Sequence, residues 1–173
     1  MKKIKDRFSL GLISGLGGNL AKIAVEQVFK RTGVSKSNGY TTAAGIFLKK
    51  SDIATSYGRA VGIIADNMIA AGLGVTCTYW LTLMGKDKHL IKGAGLGAVE
   101  WGALYGVLSR LGATTIYPVK PKDAIATFIS HLAFGMTKIA IAVHLGDSRL
   151  FKPKNLTLEI DEPQSLFPKA KYL

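Results

Sequence analysis

Four long apolar stretches of nearly equal length constrain the fold of this chain more than any other feature. They comprise residues 8–29, 60–84, 90–111 and 124–145, and each is 22 to 25 residues long. At about 1.5 Å per residue, a helix of this length spans the roughly 30 Å hydrocarbon layer of a bilayer. The spacing therefore predicts an all-α protein, a four-helix transmembrane bundle with a long first loop and a polar C-terminal tail.

A soluble helical bundle is the competing interpretation, because only residues 67–85 form a run of 18 or more residues without charge. Helices of a soluble bundle carry polar residues along one face, whereas these stretches are apolar nearly all round. They also contain glycines four residues apart, which weaken helices in water and favour close helix packing in membranes. The membrane interpretation is therefore preferred. The glycine pairs are Gly11/Gly15, Gly58/Gly62, Gly93/Gly97 and Gly102/Gly106.

The two ends of the chain differ in character. Residues 1–7 are basic and precede an apolar run of signal-peptide length, but no cleavage site follows cleanly. The first stretch is therefore predicted to remain as a helix, and residues 1–147 are predicted to form the membrane domain. Residues 148–173 contain three prolines and an acidic cluster, and they are predicted to be a mobile tail.

Lysine and arginine residues that flank the stretches indicate the orientation, because cytoplasmic loops retain positive charge. With the N-terminus inside, twelve basic residues lie on the inner side and nine on the outer side. The predicted location is the cytoplasmic membrane, with both termini in the cytoplasm. Residues 41–50 of the long loop end in two lysines, and they form either a short helix among anionic headgroups or a packed loop.

Ionisable side chains within the apolar stretches are the candidate functional residues. Each costs on the order of 2.5 to 3.5 kcal/mol near the bilayer centre, so it must face the interior, find a partner or snorkel. Lys22 and Glu26 are four residues apart and are expected to form a local ion pair. Asp66 and Glu100 need partners from other helices. The predicted polar seam comprises Asn19, Lys22, Glu26, Asp66, Glu100, His131 and Lys138.

Two functions fit such a seam. The preferred interpretation is a structural or interaction protein of the membrane, in which interhelical hydrogen bonds and ion pairs fix helix packing. The alternative is a small proton, ion or polar-solute transporter, which with only four helices would have to form a homo-oligomer or an inward cavity. A membrane-lysing protein is a third class, which toxicity on overexpression would reveal.

Composition and motifs argue against other classes of function. The single cysteine, Cys77, cannot form an internal disulfide, and neither glutamate of the seam is followed three residues later by the histidine of a di-iron motif. Neither a nucleophile elbow nor a P-loop motif is present, so no enzyme, metal or cofactor is predicted. The net charge of +12 is dispersed over every loop, which favours anionic lipid headgroups over nucleic acid as the partner.

Three segments resemble small four-span membrane proteins of unknown function from spore-forming Gram-positive bacteria. They are RFSLGLISGLGGNLAKIAVEQVFKRTGV, HLIKGAGLGAVEWGALYGVLSRLG and DAIATFISHLAFGMTKIAIAVHLGD. In that group a Lys-Gly pair enters the third helix and an aromatic residue follows, which matches Lys92, Gly93 and Trp101. A polar residue and a glycine near the middle of the fourth helix match His131 and Gly135. The resemblance implies a four-span topology and a cytoplasmic-membrane location, and it implies no activity.

Overall fold

Helices make up the regular structure of residues 3–151, which a computed structural model describes. The predicted all-α class is confirmed for this part of the chain. The elements in order are α1 (Arg7–Arg31), α2 (Gly39–Ala44), α3 (Ser56–Met84), α4 (His89–Trp101), a π-helical segment (Gly102–Leu108), α5 (Pro121–Leu145) and a 3-10 turn (Ser148–Phe151).

Three of these helices, α1, α3 and α5, are long and apolar enough to cross a membrane. They correspond to the first, second and fourth predicted stretches. The third stretch differs from the prediction, because the α-helix ends at Trp101 and the chain continues as the π-helical segment. A Cβ atom added at Gly102 or Gly106 would meet nothing within 4 Å, so this predicted glycine pair does not pack against another helix.

The four long helices pack side by side in the order α3, α1, α5, α4. Glycines make the contacts between neighbours close. Gly74 of α3 lies against Gly11 and Gly15 of α1, and Gly97 of α4 lies against the backbone of α5 at His131 and Gly135. Within residues 3–151, α3 and α4 are not a closely packed pair. The bundle is therefore open along one side, between α3 and α4.

Backbone hydrogen bonds tie together the loops at each end of the bundle. At one end, the amide of Ile4 donates to the carbonyl of Leu145 over 2.9 Å. At the other end, the amide of Thr115 donates to the carbonyl of Gly45 over 3.0 Å. The long helices consequently run between the same two ends.

The long first loop packs on the bundle through α2. Gly62 of α3 lies against the carbonyl of Tyr40, and Ala43 and Ala44 are buried. Within residues 41–50 the structure has a short helix, the C-terminal part of α2, which packs against α3, while Lys49 and Lys50 are exposed. At the C-terminal end, Leu150 and Phe151 also pack into the apolar core. The first four residues of the predicted tail thus lie on the helical domain, and the rest of that tail lies outside the described residues.

Polarity is distributed in the opposite way to that of a soluble protein. Large apolar side chains point outward on every long helix, as with Leu20, Met68, Ile91 and Ile125, which are 70%, 70%, 73% and 62% exposed. Charged side chains lie in the interior of the same helices. Water disfavours this arrangement and a hydrocarbon layer favours it, since lipid solvates the outer surface and the interior shelters the charges. The structure therefore has the features of a membrane protein.

Candidate functional site

The structure buries all seven residues of the predicted polar seam, and none is more than 7% exposed. They come from all four long helices. Glycine contacts hold these helices close together, which brings the ends of long polar side chains within hydrogen-bonding distance of the next helix. The members are Asn19, Lys22 and Glu26 of α1, Asp66 of α3, Glu100 of α4, and His131 and Lys138 of α5.

An ion pair between α1 and α3 forms the first part of the seam. Lys22 Nζ lies 2.5 Å from Asp66 Oδ1. The amide Nδ2 of Asn19 donates to the other carboxylate oxygen, Asp66 Oδ2, over 3.1 Å. Both oxygens of this buried carboxylate therefore have a donor, which offsets part of the cost of removing its charge from water.

Glu26 takes a different partner from the one that the sequence predicts. The expected local ion pair with Lys22 does not form in the described residues, because Lys22 reaches across to Asp66. Instead, both carboxylate oxygens of Glu26 accept from the backbone amide of Gly39, over 3.2 and 3.1 Å. Gly39 is the first residue of α2, so its amide has no hydrogen-bond acceptor within that helix. The carboxylate of Glu26 supplies the acceptor and is favoured at the helix N-terminus.

A second ion pair joins α4 and α5. Lys138 Nζ lies 2.5 Å from Glu100 Oε1, and the lysine side chain is fully buried. The ammonium group also lies 4.2 Å from the centre of the Phe134 ring, a cation–π contact. The second oxygen, Glu100 Oε2, has no hydrogen-bond partner among residues 3–151. The pairing therefore depends on a single contact between the two charged groups.

His131 is buried on α5, and a contact with the backbone fixes the orientation of its ring. Its Nδ1 is 2.8 Å from the carbonyl oxygen of Thr127. Because a carbonyl only accepts, the proton of a neutral His131 is on Nδ1, and Nε2 is an acceptor. The ring of Tyr105 packs edge-on against the imidazole, with 5.3 Å between the centroids.

Tyr105 and Gly39 are parts of the site that the sequence did not reveal. Tyr105 is the one buried residue of the π-helical segment, and its place on the inner face depends on that wider helical register. Gly39 lies in the long loop, and a Cβ atom there would come within 2.7 Å of Lys22 Nζ. The only feature of the sequence at this position is the glycine itself. Because glycine is common in loops, it did not indicate a role in the site.

A cavity adjoins the first ion pair and leaves about 70 Å³ for water. One water molecule needs about 10 to 15 Å³ by this measure, so the cavity has room for about five. Its polar lining includes Lys22, Asp66, Tyr105 and His131, whereas the Glu100–Lys138 pair does not line it. The seam thus has one ion pair beside the cavity and one away from it.

The described residues contain no group of three or more histidine, cysteine, aspartate or glutamate side chains placed to share a metal ion. Comparisons with known proteins add no assignment, because no family model, curated protein or solved structure matches the chain. The function is therefore inferred from the geometry of the seam and its cavity.

Proposed function

We propose that the protein crosses the cytoplasmic membrane four times and acts through interactions within the membrane, with the polar seam serving to fix its helices. The observation that carries this proposal is the pairing of charges between neighbouring helices. Lys22 pairs with Asp66 between α1 and α3, and Glu100 pairs with Lys138 between α4 and α5. A carboxylate held by a buried lysine in this way specifies which helix faces meet.

The length of the third helical region supports a fourth span. Together, α4 and the π-helical segment cover residues 89–108, which is 20 residues. At about 1.5 Å per residue they approach the roughly 30 Å of the hydrocarbon layer. The region also runs between the same two ends of the bundle as α1, α3 and α5, because α4 packs along α5.

The fourth span can be tested with single cysteines placed in the loops. Cys77 is fully buried, so the wild-type chain should not react with a membrane-impermeant maleimide on intact cells. With four spans and both termini inside, Lys50→Cys and Lys120→Cys are expected to react, and Lys86→Cys only after the cells are permeabilised. If α4 does not span, Lys86→Cys and Lys120→Cys will react from the same side.

Transport is the second candidate function, and the cavity beside Lys22 and Asp66 is the observation that favours it. Under the structural role, liposomes containing the protein should conduct protons and potassium no faster than empty liposomes. Asp66→Asn should then lower the stability by about 3 kcal/mol, because it removes the countercharge of a buried lysine. Flux that the wild type supports and Asp66→Asn abolishes, with the variant still folded, would establish the transporter instead.

A further inference from the structure

The cavity beside the first ion pair is partly enclosed by the protein. Residues of α1 and α5, including Lys22 and His131, form its floor. One wall belongs to α3 and the opposite wall to the π-helical segment. One end is closed where the hydroxyl of Thr114 donates to the carbonyl of Thr42 over 2.9 Å. The remaining side lies between α3 and the π-helical segment, where the bundle is open.

The mouth of the cavity is apolar. It is lined by Ile69 and Leu73 of α3 and by Leu104 and Leu108 of the π-helical segment, all of them at least partly exposed. These residues lie on the same outward surface that carries the large apolar side chains of the bundle. In a membrane such a mouth faces hydrocarbon, so an occupant would enter from the bilayer and would need an apolar part.

The floor of the cavity selects against a charged head group. The charge of Lys22 is already matched by Asp66. The nearby carboxylate of Glu26 is held by the amide of Gly39 and does not line the cavity. Moving an ion into such a site would cost far more than moving a neutral polar group. Nε2 of His131 is an available acceptor, since Nδ1 is held by Thr127, and Thr42 Oγ1 also lacks a hydrogen-bond partner among the described residues. An uncharged hydrogen-bond donor, such as a hydroxyl, complements this floor.

We propose that the cavity binds an uncharged lipid with a free hydroxyl head. The head donates a hydrogen bond to Nε2 of His131 and fills the space of about five water molecules. The hydrocarbon chain leaves between Leu73 and Leu104 and continues into the bilayer. This proposal rests on the membrane placement of the proposed function, and it does not depend on the role of the ion pairs.

Photocrosslinking tests the proposal on the full chain in nanodiscs of phosphatidylcholine and phosphatidylglycerol. The probe is monooleoylglycerol with a diazirine in its chain, and the labelled positions are read by peptide mass spectrometry. We expect adducts concentrated on the peptides that contain Leu73 and Leu104. Unlabelled monooleoylglycerol should displace the probe, whereas its dimethyl ether, which has no donor, should be about tenfold weaker.

Three variants distinguish probe binding in the cavity from non-specific contact with the lipid-facing surface of the helices. Leu73→Trp fills the mouth and should abolish the localised labelling, whereas Leu83→Trp, on the same helix at a position 75% exposed, should not change it. His131→Phe keeps an aromatic ring against Tyr105 and removes Nε2, so it should weaken probe binding about tenfold. Melting temperatures of the variants in detergent show whether each one is folded.

Several results would overturn the proposal. Uniform labelling of every outward helix face would mean that the probe samples only the bilayer. Equal competition by the dimethyl ether, or by oleate, would remove the hydroxyl assignment. These outcomes leave the proposed structural role intact, whereas ion flux through the protein would overturn that role and leave localised labelling in place.

Discussion

Lys138→Met is expected to destabilise the protein by about 3 to 5 kcal/mol, because it leaves the carboxylate of Glu100 buried without a countercharge. The wild-type carboxylate already has one oxygen without a hydrogen-bond partner in the described residues, and the other depends on Lys138. No second donor is in place to compensate for the loss. The expected result is a large fall in the melting temperature in detergent, measured as the fraction that remains monodisperse after heating.

The double variant Glu100→Gln/Lys138→Met provides the decisive control. Removing both charges also removes the desolvation cost, so its stability should return to near that of the wild type. Asp87→Asn is the matched surface control, because this carboxylate pairs with Lys92 over 2.9 Å and its side chain is 74% exposed. That lysine lowers the pKa of the Asp87 carboxyl through its hydrogen bond, yet solvent screens the pair, and little change in stability is expected. A double variant as unstable as Lys138→Met would show that the lysine acts by packing alone.

Hydropathy was sufficient to locate the long helices, because the length of an apolar stretch can be read directly from the sequence. The predicted stretch 124–145 lies within α5, and 60–84 lies within α3, which begins four residues earlier at Ser56. The requirement that Asp66 and Glu100 find partners on other helices also followed from the cost of a buried charge. The structure supplies those partners as Lys22 and Lys138.

The wrong or missing parts of the prediction depend on the positions of elements relative to one another. Nothing local distinguishes Glu26 paired with Lys22 from Glu26 that accepts from Gly39, because Gly39 is 13 residues away and meets it only through the packing of α2. The change from α-helix to π-helix after Trp101 likewise has no sequence signal at the level of hydropathy. The cavity is lined by residues of α2 and of the π-helical segment, so the hydrophobic periodicity of the sequence could not predict it.

Two glycines of one short motif are expected to respond in opposite ways to the same substitution. The sequence Ala-Gly-Leu-Gly occurs in α3 and again in α4. In both copies a Cβ atom at the first glycine, Gly72 or Gly95, would meet nothing within 4 Å. At the second, Gly74 or Gly97, it would collide with a backbone oxygen of the adjacent helix. Only the second glycine of each copy is therefore needed for helix packing.

Gly97→Ala is accordingly expected to cost about 3 kcal/mol or more, because α4 would have to move away from α5 and the Glu100–Lys138 contact would be lengthened. Gly95→Ala should leave the melting temperature unchanged or raise it by the equivalent of up to about 1 kcal/mol, since alanine favours the helix. Gly74→Ala and Gly72→Ala repeat the comparison on α3. A marked loss at Gly95 or Gly72 would mean that these outward faces are covered in the membrane, and crosslinking between copies would then show whether a homo-oligomer covers them.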